Sequence, residues 1–143
     1  MNTTIPEPDT ARKFFTVEEA NSTLPLVRLI VRDIVELYAD VRDRRDRLTA
    51  IAKNEYSNAE RDDVYSEELE AVESSIYKDI EKLKSFIAEL TEIGIEMKDP
   101  ETGLIDFYSL QDGREVFLCW KLGEQNITHW HELDAGFEGR QLL

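Results

Sequence analysis

Leu104 to Trp120 reads LIDFYSLQDGREVFLCW, and the folding of this stretch decides the architecture of the chain. Apolar and polar residues alternate on both sides of Asp112-Gly113, and Asp-Gly between two alternating runs is a strong two-residue hairpin signal. With those two residues as the turn, Gln111 faces Arg114. Counting outward then sets Tyr108 opposite Phe117 and Asp106 opposite Cys119. Directly opposed residues share a face of the sheet. One face therefore holds Ile105, Phe107, Val116, Leu118 and Trp120, the core side. The other holds Asp106, Tyr108, Leu110, Glu115, Phe117 and Cys119, a mixed face.

The neighbouring residues extend the sheet. Asp99-Pro100-Glu101-Thr102-Gly103 is turn chemistry, which makes Ile95 to Lys98 a further strand. Ile127 to Leu133 is β-branched and aromatic enough to be the last one. Asp134 to Leu143, with Gly136 and Gly139, reads as a tail without regular structure. The expectation is an antiparallel sheet of three or four strands.

Ahead of Gly94 the period is helical. Thr16 and Glu19 have capping-box spacing, in which each side chain satisfies the other's backbone N–H. Leu24 precedes Pro25 and is pushed away from helical geometry. A short first helix, a break near Ser22 to Leu24 and a long helix starting at Pro25 follow from that. Val27, Ile30, Ile34, Leu37, Val41, Arg44, Leu48 and Ile51 form one heptad seam; Leu69, Val72, Ile76, Ile80, Leu83, Phe86 or Ile87, Leu90 and Ile93 form another. Such narrow apolar seams with charged flanks pack as in a coiled coil. The polar bridge from Lys53 to Asp63 joins them as an antiparallel helical hairpin, each arm roughly 40 Å long at about 1.5 Å per residue. Turning near Asn58, that hairpin sets Arg44 beside Glu73 or Glu70. Val31, Val35, Tyr38, Tyr77 and Ile87 lie beside the seam and need a further partner: the C-terminal part, another subunit, or both.

The chain has 143 residues, enough for one α+β domain. It divides into a loose arm over 1–13 and a single domain over 14–143, with the hairpin at 16–93 and the sheet and tail at 95–143. A net charge of −14 repels nucleic acid and anionic membrane surfaces. No stretch reaches the roughly 20 apolar residues needed to span a bilayer, and the N-terminus lacks the pattern of a signal peptide. The lone cysteine forbids an intramolecular disulfide and fits a reducing cytoplasm. The run Arg42-Asp43-Arg44-Arg45-Asp46-Arg47 is a solvated helix face, its bases matched by acids at helical spacing.

Both histidines lie in the last strand, on either side of Trp130. With Trp130 on the core side beside Leu118, His129 and His131 join Cys119 and Asp106 on the mixed face. A one-residue slip would exchange the faces. Burying Trp130 gains about 2–3 kcal/mol, whereas two imidazoles on the core side would lack polar partners, so Trp130 belongs inside. Carboxylate, thiolate and imidazole are all ligands for a divalent metal such as zinc. The competing reading is two surface histidines facing water.

KDPETGLIDF, DGREVFLCWKLGE and WHELDAGFEGRQ, together with FTVEEANSTLP near the front, resemble the prokaryotic domain of unknown function 2203 family from Phe15 onward. The resemblance implies a helical segment followed by a small sheet and no established activity. Its motif words fall on Asp106, Cys119, Trp120, Gly123, Glu124, Trp130, His131, Glu132, Asp134, Gly136, Gly139 and Arg140. An aromatic residue is usual in that family where this chain has His129, which moves the weight to His131 with Glu132, Asp134 and Arg140.

Two functions follow. The first is a non-catalytic, self-associating interaction module, a homodimer using the apolar stripes left beside the seam. The second is a divalent-metal-binding protein or metal-dependent hydrolase, with His131, Asp106, Glu132, Asp134 and His129 as ligands. The enzyme reading lacks a second catalytic motif. Arg140, Glu124 and Cys119 are candidate ligand-binding residues. Arg140 either binds an anionic ligand or returns to Asp134 or Glu132 as a structural clamp.

Overall fold

A computed structural model describes residues 12–56 and 63–143. Helix α1 runs Val17–Tyr56 and α2 runs Asp63–Ile93. Five strands follow: β1 Ile95–Asp99, β2 Leu104–Gln111, β3 Arg114–Lys121, β4 His129–Glu132 and β5 Gln141–Leu142. They form one antiparallel sheet in chain order, β1-β2-β3-β4-β5. The fold is α+β, a helical hairpin laid on one face of a small meander.

The capping box forms as its spacing requires. Thr16 N–H donates to Glu19 Oε1 at 2.9 Å, and Glu19 N–H to Thr16 Oγ1 at 3.0 Å. The expected break near Ser22 to Leu24 does not occur, because Pro25 lies inside one continuous helix of 40 residues, about 60 Å at about 1.5 Å per residue. Proline removes a single helical hydrogen bond, the one to the carbonyl of Asn21. Ala20, Leu24, Val27, Ile30 and Val31 are all buried around it, and that packing outweighs the local cost. The helix also continues to Tyr56, past the expected end near Lys53. Of the arm expected over 1–13, residues 1–11 lie outside the described residues, as does the centre of the bridge at 57–62. Arg12 lies on the sheet, paired with Glu115.

The core forms where the α1 face meets the inner face of the sheet. Ala20, Leu24, Val27, Ile30, Val31 and Ile34 pack with Leu90 of α2 and with Ile105, Phe107, Leu118 and Trp120. Val31, Val35 and Ile87, which needed a partner beyond the seam, are covered within the chain. Gly103 shows how closely. A Cβ there would stand 2.7 Å from the Leu122 Cβ and 3.0 Å from a Val31 methyl.

The β2–β3 register is the one counted from the sequence, including Asp106↔Cys119 and Gln111↔Arg114. Asp112 and Gly113 have φ of 54° and 80°, the left-handed pair of a type I′ turn. The loop before β4 is fixed to α1. Ile127 N–H donates to Asn21 Oδ1 at 2.8 Å, and Arg28 donates to the carbonyl of Gln125. This anchoring sets Trp130 opposite Leu118, on the core side. The tail is more ordered than expected. A 3-10 turn at Phe137–Gly139 returns the chain so that Gln141–Leu142 pairs with His129–Trp130.

Arg44 also differs from expectation. It binds Asp40, Ser75 and Asp79 rather than Glu73 or Glu70. The helices pass each other about one turn further along α2 than a turn at Asn58 implies.

Candidate functional site

On the outer face of the sheet, period two places Asp106 and Tyr108 of β2 beside Cys119 and Phe117 of β3 and His131 of β4. Asp106, Cys119 and His131 are buried, at 2%, 0% and 2% exposure. Their ligating atoms lie within 4.8 Å of one another. Among the described residues they are the one group of three or more His, Cys, Asp or Glu so placed.

Aromatic rings and long cationic side chains seal this cluster. Phe117 lies between Tyr108, at a 4.5 Å centroid distance, and His131, at 5.4 Å. Lys98 caps Phe117 and Arg12 caps Tyr108. Tyr108 donates its hydroxyl to Glu96, which also pairs with Lys98. At the other end of the strands, Arg140 binds both carboxylate oxygens of Glu124 at 3.0 and 2.8 Å, over the ring of Phe137. Glu124 accepts the Lys121 N–H as well.

Hydrogen bonding fixes the protons. His131 Nδ1 lies 2.7 Å from the carbonyl of Glu132. A carbonyl only accepts, so Nδ1 carries hydrogen and Nε2 faces the cluster. Nε2 is 3.1 Å from each oxygen of Asp106, and a single proton is shared across that gap. Burial raises the pKa of Asp106, while His131, Lys98 and the Cys119 thiol oppose the rise. The Cys119 pKa is pushed up to about 12 by burial and by the nearby Asp106 carboxylate, with Arg140 pulling the other way. At neutral pH in this fold Cys119 is a thiol, which makes it a poor nucleophile.

The other candidate residues stand apart from this trio. His129 opposes Cys119 in register, but its ring bonds Thr128 and stays outside the cluster. Glu132 opposes Val116 and pairs with Arg114 at 2.9 Å. Asp134 is exposed in the turn after β4. Arg140 takes Glu124 as its partner instead of Asp134 or Glu132, because the tail returns as a strand beside β4 while Glu132 is held by Arg114. Sequence reasoning missed Glu96 and Lys98. The alternation Ile95-Glu96-Met97-Lys98 was the signal, since pairing β1 on β2 sets Glu96 opposite Asp106.

The hairpin has open surface of its own. One groove on it is lined by Arg45, Leu48, Glu73, Ile76, Tyr77 and Ile80, another by Glu70, Glu73, Ser74, Tyr77, Lys78 and Glu81. Tyr77 belongs to both and is 67% exposed. Among the described residues no helix is long and apolar enough to cross a membrane.

Compared with curated proteins and with solved structures, the chain finds no match. A family model described as an uncharacterized conserved protein, DUF2203, matches residues 13–143. That span includes both helices and all five strands, and the chain belongs to the DUF2203 family.

Proposed function

We propose that this chain is a non-catalytic interaction module that self-associates as a homodimer through the arm of its helical hairpin. The observation that carries the reading is Tyr77, a large amphipathic side chain 67% exposed between two grooves. Tyrosine is enriched among the residues that dominate binding at interfaces. Val72 on α2 and Ile51 on α1 add exposed apolar surface to the hairpin, as an interface requires. The sheet already covers Val31 and Val35, so the dimer surface is narrower than the stripes alone imply and centres on Tyr77. Cys119, held as a thiol by burial, weighs against nucleophilic catalysis at the sheet. The net charge of −14 and the lone cysteine support a cytoplasmic setting without nucleic acid as partner.

A two-fold interface here brings together copies of Glu70, Glu73 and Glu81, with Lys78 among them. The same acids repel across the axis, so salt strengthens the association by screening them. Size-exclusion chromatography with light scattering tests the reading. Tyr77→Glu is expected to give a monomer, and Leu29→Lys, an exposed leucine on α1, to leave the mass unchanged. A parent protein that stays monomeric at tens of micromolar contradicts the proposal, as does a Tyr77→Glu variant of unaltered mass.

A further inference from the structure

We infer that Asp106, Cys119 and His131 are three protein ligands of a zinc-type divalent metal site on the outer face of the sheet. Three adjacent strands hold the donors, and one atom from each lies within 4.8 Å of the others. Bonds of about 2.0–2.3 Å in a tetrahedron set ligand atoms roughly 3.3–3.8 Å apart. Nε2 and the Asp106 oxygens, at 3.1 Å, need only separate slightly to admit an ion. Sulfur, nitrogen and oxygen together suit zinc or cobalt and are poor ligands for magnesium or calcium.

A second observation is independent of that clustering. A metal-binding imidazole typically donates its other ring N–H to a carbonyl or carboxylate, which fixes the tautomer and aims the coordinating nitrogen. His131 does this: Nδ1–H is held by the Glu132 carbonyl at 2.7 Å and Nε2 faces Asp106 at 3.1 Å.

Without metal, the cluster holds one proton between Nε2 and Asp106 and one on the Cys119 sulfur, and is neutral. Binding a divalent ion releases both protons and leaves neutral imidazole, carboxylate and thiolate around a 2+ charge. The buried site is neutral before and after, so no uncompensated charge is placed under the sealing rings. Among the described residues no other His, Cys, Asp or Glu completes the group, which leaves the fourth position to water. Such burial also means that the ion is loaded as the chain folds.

The test uses the full chain without a histidine tag, unfolded in chelator and refolded with cobalt(II). The expected result is a single ion per chain, with visible d–d bands of tetrahedral cobalt and near-ultraviolet thiolate-to-cobalt charge transfer. Cys119→Ser should lose the charge-transfer band, and Asp106→Asn should lose or shift the visible bands. His129→Ala, outside the cluster, should keep both. His131→Ala should bind no cobalt; if it fails to fold, the cysteine and aspartate variants still decide. A parent protein that refolds to its native spectrum without cobalt absorption overturns the inference. So does Cys119→Ser retaining the charge-transfer band.

Discussion

His131 Nε2 lies 3.1 Å from both carboxylate oxygens of Asp106, and each residue is 2% exposed. Removing one member of a buried pair leaves the other without a partner, at a cost of about 3–5 kcal/mol. In metal-free protein His131→Ala is therefore expected to lower stability by about 3 kcal/mol or more. Replacing both residues by leucine should recover much of that loss. Urea unfolding measures both, and a single-variant loss below about 1 kcal/mol would show that the pair is far better hydrated than its burial implies.

Cys119 gives a pH dependence with a definite sign. Its pKa is 9.0 for the free group and about 12 in the fold. Between those values the unfolded chain has released a proton that the folded chain keeps. Stability from the buried thiol is thus complete below pH 9.0 and declines above it by about 1.4 kcal/mol per pH unit. Comparing chelator-treated parent protein with Cys119→Ala by urea unfolding isolates this contribution from the lysines and tyrosines. Identical slopes for the two between pH 8.5 and 10 would refute it.

Gly103 and Gly113 separate strain from crowding. Both have positive φ, +78° and +80°. A Cβ at Gly113 meets nothing within 4 Å, whereas one at Gly103 collides with the Leu122 Cβ and crowds Val31 and Val35. Gly113→Ala should cost about 1 kcal/mol from backbone strain alone. Gly103→Ala should cost about 3 kcal/mol or more, since the turn must shift from Leu122 while Val31 and Val35 of α1 leave it little room. Equal losses in thermal unfolding would mean that the turn does not pack on the helix.

Arg44 pairs with Asp40 and Asp79 at a half-open edge of the hairpin, and its Nε has no partner. Arg44→Leu removes that unpaired donor and extends the apolar seam, while the two aspartates regain water. The expected change in stability is within about 1 kcal/mol of zero. A loss beyond about 2 kcal/mol would mark a tightly coupled network.

The β2–β3 register was legible because Asp112-Gly113 permits one tight turn, and everything opposite it follows by counting. The face taken by Trp130 was legible because burying two imidazoles among Ile105, Phe107 and Leu118 would leave them unpaired. Pro25 was misleading, since the local preference for a break is small beside the burial of Ala20, Leu24 and Val27. Strand β5 is two residues long and carries no period of its own, so only the return of the tail over β4 creates it. The Arg140–Glu124 pair was hidden for the same reason. Asp106, Cys119 and His131 were each foreseeable from strand alternation, but the exclusion of His129 depends on its bond to Thr128.

The most direct measurement is the mass of the unmodified chain by sedimentation equilibrium, over a wide micromolar range and at low and high salt. The proposed function predicts a reversible monomer–dimer equilibrium that shifts toward dimer as salt rises, because screening quiets the acids around Tyr77. A monomer at every concentration and salt would contradict it. A dimer that salt dissociates would place the contact on opposite charges, away from that surface.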